Sequence, residues 1–80
     1  MKLVITIITD SGFEKQFVQT FSPDVEREGV EADCEKVLRL VSTGFRDNLS
    51  FNVNITDDKI GKTSINGDKL LSLSANIIDD

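Results

Sequence analysis

The chain opens on a run in which Leu3, Ile5 and Ile7 alternate with Val4, Thr6 and Ile8. An extended backbone sends the two sets to opposite faces, so both faces are apolar and the run reads as a central strand. Asp10, Ser11 and Gly12 follow, and Gly12 can take the left-handed conformation that closes a three-residue hairpin loop. That loop sets Ile7 opposite Lys15 and Ile5 opposite Phe17. A second strand over 13–21 then places Phe13, Phe17 and Phe21 on the face of Leu3, Ile5 and Ile7.

The period changes after Ser22, Pro23 and Asp24. Val30, Cys34, Val37, Leu38, Val41 and Phe45 form one stripe of a 3.6-residue helix, predicted to begin near 28–30 and to end at Gly44. From Leu49 the period becomes two, with Leu49, Phe51, Val53 and Ile55 alternating with Ser50, Asn52, Asn54 and Thr56. A tight turn at Asp57 and Asp58 would set Ile55 opposite Ile60. A second turn at Asn66 and Gly67 would set Ile60 opposite Leu73 and Lys62 opposite Leu71. This meander would gather Phe51, Val53, Ile55, Ile60, Leu71, Leu73, Ala75 and Ile77 on one face. The fold class predicted is α+β, ββαβββ, with one antiparallel sheet ordered 2-1-3-4-5 or 2-1-5-4-3 and the helix across one face.

Composition sharpens this picture. Eighty residues with 39% hydrophobic content and a single proline suit one globular domain, 1–80, and leave little room for an elaborate active site. No apolar run approaches the roughly 20 residues of a membrane span, and the opening strand lacks the length and cleavage signal of a secretory leader. One cysteine cannot form an internal disulfide, which points to the cytoplasm.

Candidate chemistry is sparse. There is no histidine, so the commonest general base and metal ligand are both missing. Cys34 lies in the middle of the helix stripe and reads as packing. Gly61, Lys62 and Thr63 copy the end of a phosphate-binding loop without its earlier glycine or its following helix. Asp57, Asp58 and Asp68 flank turns without EF-hand spacing, and Asp79 and Asp80 read as solvated charges. Asn48 and Asn54 begin glycosylation tripeptides that need secretion to matter. Lys59, Lys62 and Lys69 lack any accompanying nucleic-acid motif and suit a guarded strand edge. No catalytic residue, cofactor site or metal site is therefore expected, and the chain does not read as an enzyme.

Charge supplies the functional expectation. Nine basic residues against fourteen acidic ones give a net charge of -5, which disfavours direct contact with nucleic acid. Asp24, Glu26, Glu28, Glu31, Asp33 and Glu35 fall within twelve residues, interrupted by one cation, Arg27. The expected partner-binding set is Asp24, Glu26, Glu28, Glu31 and Glu35, facing a protein with a basic surface. In size and charge the chain resembles the small acidic inhibitors that phages direct against host enzymes, anti-CRISPR proteins among them. That resemblance implies a non-catalytic docking module, in which acidic groups can stand in for nucleic acid. The alternative is a small homo-oligomeric assembly subunit, with a homodimer as its simplest form. A second apolar sheet face formed by Val4, Ile8 and Val18 is the other surface that something could cover.

Overall fold

The computed structural model describes residues 1–79. It has β1 (Lys2–Thr9), β2 (Glu14–Thr20), α1 (Arg27–Asp47), β3 (Asn52–Asp57), β4 (Gly61–Asn66), a 3-10 turn (Gly67–Lys69) and β5 (Leu70–Ile78). This is an α+β fold with five strands in antiparallel sheets and one helix. The strands form two sheets rather than one: β2-β1-β5, and the separate pair β3-β4.

The first hairpin keeps its expected register, with Ile5 opposite Phe17 and Ile7 opposite Lys15. Gly12 has φ 84° and donates its N–H to the Thr9 carbonyl at 2.9 Å, which closes the loop. β1 is central, flanked on its other side by β5 with Ile5 opposite Ala75 and Ile7 opposite Leu73. The order β2-β1-β5 agrees with the first part of 2-1-5-4-3. The β4-β5 pairing required by both expected orders is absent, and the 3-10 turn between them is a further departure from plain ββαβββ.

Two local causes redirect the chain. In the β3-β4 hairpin the residues 58–60 form the loop, with Gly61 at φ 79°, so Ile55 lies opposite Thr63 instead of Ile60. Ile60 is left exposed in that loop. At the next corner the Asn66 side chain accepts from the Asp68 N–H at 2.9 Å and caps the 3-10 turn, which carries Leu70 into the core and β5 across to β1. The polar strand β4 offers little for β5 to bury against, whereas β1 is apolar on both faces. Between Ile8 and Thr9 the β1-β5 register shifts by a residue, and Leu71, expected inside, is splayed into solvent.

The core unites Leu3, Ile5, Ile7 and Phe17 with Val30 and Val41 of α1, Val53 and Ile55 of β3, and Leu70. Both the helix and the β3-β4 pair thus cover the same face of the three-stranded sheet. Phe13 corrects the expected face: it belongs to the hairpin loop, before β2 begins, and is exposed.

The helix also ends differently from expectation. Gly44 does not terminate it. The chain continues to Asp47, and Asn48 takes the left-handed cap at φ 54°, donating its N–H to the Gly44 carbonyl. Gly44 is instead buried against the ring of Phe51, where a Cβ would come within 2.3 Å of ring carbons. Gly67 meets the same ring, at 2.6 Å from an added Cβ, and its N–H donates to the Phe51 carbonyl at 2.8 Å. The Asn66-Gly67 pair that reads as a hairpin is therefore a capped 3-10 corner whose glycine makes room for an aromatic ring.

Candidate functional site: an acidic surface at the helix start

The site is built from a loop and the first turns of α1. Asp24 lies in a turn and Glu26 holds the helix N-cap position with extended backbone, φ -75° and ψ 134°, but makes no side-chain cap. Its carboxylate is thereby left to solvent. Glu28, Glu31 and Glu35 follow at spacings of three and four, which places them on one side of the helix. All five expected partner-binding residues, Asp24, Glu26, Glu28, Glu31 and Glu35, are exposed.

Asp33 separates from this group. Two residues past Glu31, it turns to the opposite flank, where it lines a small cavity with Gln19, Asn54 and Thr56. Arg27 lies inside the acidic group. Its guanidinium donates to Glu31 at 2.9 Å and also pairs with Asp79, and these two contacts raise its pKa above the ordinary value. Asp79 therefore joins the site, although it is 52 residues from Arg27 and no local pattern in the chain could have signalled it. Asp80 lies outside the described residues. Arg27 offsets two of the carboxylates, which leaves Asp24, Glu26, Glu28 and Glu35 without a cation among the ion pairs of the described residues. Glu28 in the first turn matches the positive end of the helix dipole, which offsets part of the repulsion among these carboxylates.

Asp57 and Asp58 serve the fold. Asp57 accepts the Val18 N–H at 2.9 Å and the N–H groups of Lys59 and Ile60 at 2.9 and 3.1 Å. Asp58 accepts the Thr20 hydroxyl at 2.6 Å and the Thr20 N–H at 3.1 Å, while its own N–H donates to the Val18 carbonyl at 2.8 Å. The tip of the β3-β4 hairpin is thus fastened to the outer edge of β2. These donors hold both carboxyls below the usual carboxylate range, Asp57 through Val18, Lys59 and Ile60, and Asp58 through Thr20. Their position beside a turn is legible in the sequence; the grip on β2 is not.

Cys34 is half-buried rather than buried, and burial, then Asp33 and Glu31, push its thiol up, away from the reactive thiolate. Gly61, Lys62 and Thr63 begin strand β4, with no helix dipole after them. No group of three or more potential ligands that could hold a metal ion occurs among the described residues. No helix among them is long and apolar enough to cross a membrane. Val4, Ile8 and Val18 share the outer face of the three-stranded sheet and are half-buried there among Thr6, Gln16, Ser74 and Asn76. Comparison with family models, with curated proteins and with solved structures gives no match.

Proposed function

We propose that this chain is a non-catalytic protein-binding module that docks its acidic helix start on a basic surface of another protein. The observation that carries the reading is the set Asp24, Glu26, Glu28, Glu31 and Glu35, exposed together on the loop and the first turns of α1 with Arg27 as the one cation among them. Such a surface raises the rate of encounter with a positive patch and selects against acidic partners. A basic patch that ordinarily holds a phosphate backbone is the best-matched target, which makes an inhibitor of the phage type, anti-CRISPR-like in its use of charge, the form of the function we favour. The lone, poorly reactive thiol suits a reducing cytoplasm.

The test is charge reversal. The variant carrying Glu26→Lys, Glu28→Lys and Glu31→Lys should keep the circular dichroism of the parent and lose binding to a partner recovered by pull-down. Wild-type binding should weaken as salt shortens the Debye length from about 10 Å at 0.1 M towards about 3 Å at 1 M. Equal affinity of parent and variant at both salt levels would refute the reading and leave the carboxylates as a solubility feature.

A further inference from the structure

Strand β5 is an edge, and its unused main-chain groups are specified by the rest of the sheet. Val18 and Thr20 of β2 turn their N–H groups outward to Asp57 and Asp58, while Thr9 donates to Phe13 and Phe21 donates to Met1. The odd-numbered residues of β1 therefore bond to β2, and Val4, Thr6 and Ile8 bond to Asn76, Ser74 and Ser72 of β5. By the same alternation the N–H and C=O groups of Leu73, Ala75 and Ile77 point away from β1, where the sheet has no further strand.

The free edges of β2, β4 and β5 are treated differently. On β2 the hairpin tip covers the edge at Val18 and Thr20, and Glu14 and Lys15 add charge to the rest. β4 is six residues long and carries Lys62. β5 is nine residues long, and from Leu70 to Ile78 it has no charge and no proline. Exposed edges are ordinarily guarded by such devices, so a long uncharged edge is suited to pairing. Beside it runs the flank of α1 that carries Arg27, Glu31, Cys34 and Glu35 along a groove shared with Ala75 and Ile77. Three and four residues further along this flank come Leu38, Ser42 and then Phe45, of which Leu38 and Phe45 are exposed.

We propose that β5 pairs antiparallel with β5 of a second copy, joining two three-stranded sheets into one of six strands. A two-fold axis through the edge makes every contact occur twice and needs no other strand to be supplied. It places both helices on the same side of the joined sheet, running in opposite directions. The acidic half of each, with Glu28, Glu31 and Glu35, then comes beside the half of the other that carries Arg39 and Arg46, the latter also paired with its neighbour Asp47 at 3.1 Å, and the exposed Leu38 and Phe45 gain an apolar neighbour. This charge complementarity favours a second copy over an unrelated strand, even though each chain carries -5 overall. Asp24 and Glu26 remain at the outer ends, whereas Glu28, Glu31 and Glu35 are shared with the second copy, so this pairing competes with the docking proposed above.

The experiment is sedimentation over a concentration series of the whole chain, with amide exchange followed residue by residue. Wild type should approach twice the monomer mass, with the Leu73, Ala75 and Ile77 amides as slow to exchange as those of Ser74 and Asn76. Ser74→Lys with Asn76→Lys, both at exposed positions, should halve the mass at equal loading, free the three odd-numbered amides and leave those of Ser74 and Asn76 protected in a folded chain. A wild type that stays monomeric at every concentration, or a dimer whose mass is unmoved by the two lysines and whose odd-numbered amides exchange freely, would overturn the proposal. Should the double variant unfold, Ala75→N-methylalanine introduced by synthesis removes only the outward N–H, and it should lower the mass in the same way.

Discussion

The two ends of α1 are held by different physics. At the C-terminal end, the Phe51 ring fits between Gly44 of the helix and Gly67 of the 3-10 turn, with the Phe45 ring edge-on at 5.8 Å. Those contacts depend on shape alone, and neither salt nor pH should touch them. At the N-terminal end, Arg27 reaches Glu31 and Asp79 across exposed surface, and Glu26 leaves the helix without a side-chain cap. The rigid end joins α1 to β3 and β5, and the solvated end carries the carboxylates proposed to bind a partner. The shape-held contacts and the carboxylates proposed for docking thus lie at opposite ends of one helix, so either set can be altered with little effect on the other.

The largest expected effect tests the shape-held end. Gly44→Ala gains about 1 kcal/mol of helix propensity, but its methyl would overlap the Phe51 ring, and moving the ring away drives it towards Gly67. Overpacking of this kind costs about 1 to 3 kcal/mol, so the unfolding midpoint should fall. Pairing Gly44→Ala with Phe51→Leu should recover part of the loss, since the smaller side chain removes the collision. A double variant that loses as much as the two single changes summed would show that the ring is not what Gly44 makes room for.

These glycines also show what was legible in the chain and what was not. Gly12 was read correctly as a loop residue because its role is local and its strands are neighbours in sequence. Gly44 and Gly67 carry the same turn signal, yet both are required by Phe51, and nothing in their own neighbourhood announces a ring arriving from elsewhere. The β1-β2 register was readable for the same local reason. The β1-β5 pairing stands in one of the two expected orders, 2-1-5-4-3, but the pattern does not select it because β1 can accept a neighbour from any later strand; the absence of the β4-β5 pairing was not legible, because Asn66 caps a 3-10 turn as readily as it begins a hairpin. Within the acidic surface, Asp24, Glu26, Glu28, Glu31 and Glu35 were visible from spacing alone. Asp33, in the same acidic run but outside the expected set, lies on the opposite flank, and Asp79 is supplied by tertiary structure.

An intermediate effect is expected where charge takes part in the fold, at the hairpin tip on β2. Asp57 and Asp58 are held below the usual carboxylate range when folded, so their contribution is fully present above about pH 4, the ordinary carboxyl value. It is lost as pH falls through their lower folded values. The amides of Val18 and Thr20 should therefore lose protection on acidification, after correction for intrinsic exchange, before those of β1 do. Asp58→Asn should lose part of this protection at neutral pH and flatten the acid response. Protection at Thr20 that is the same in Asp58→Asn as in the parent at neutral pH would break the assignment of these contacts to ionised groups.

The smallest effect belongs to the solvated end. Arg27→Ala removes the pairs with Glu31 and Asp79, both of which are exposed, and exposed ion pairs hold little net free energy because water and salt already screen them. The unfolding midpoint should shift far less than in Gly44→Ala, and the small difference from wild type should shrink further in high salt. Partner binding should move the other way: with its one cation gone the acidic surface is more negative, so association with a basic protein should become faster at low salt while dissociation changes little. A loss of stability comparable with that of Gly44→Ala would mean that the Arg27 pairs anchor the helix start, and the division between a shape-held end and a charge-bearing end would fail. Slower association of Arg27→Ala would instead mean that Arg27 contacts the partner itself, which would place the docking surface on the Arg27 and Asp79 side of the helix start.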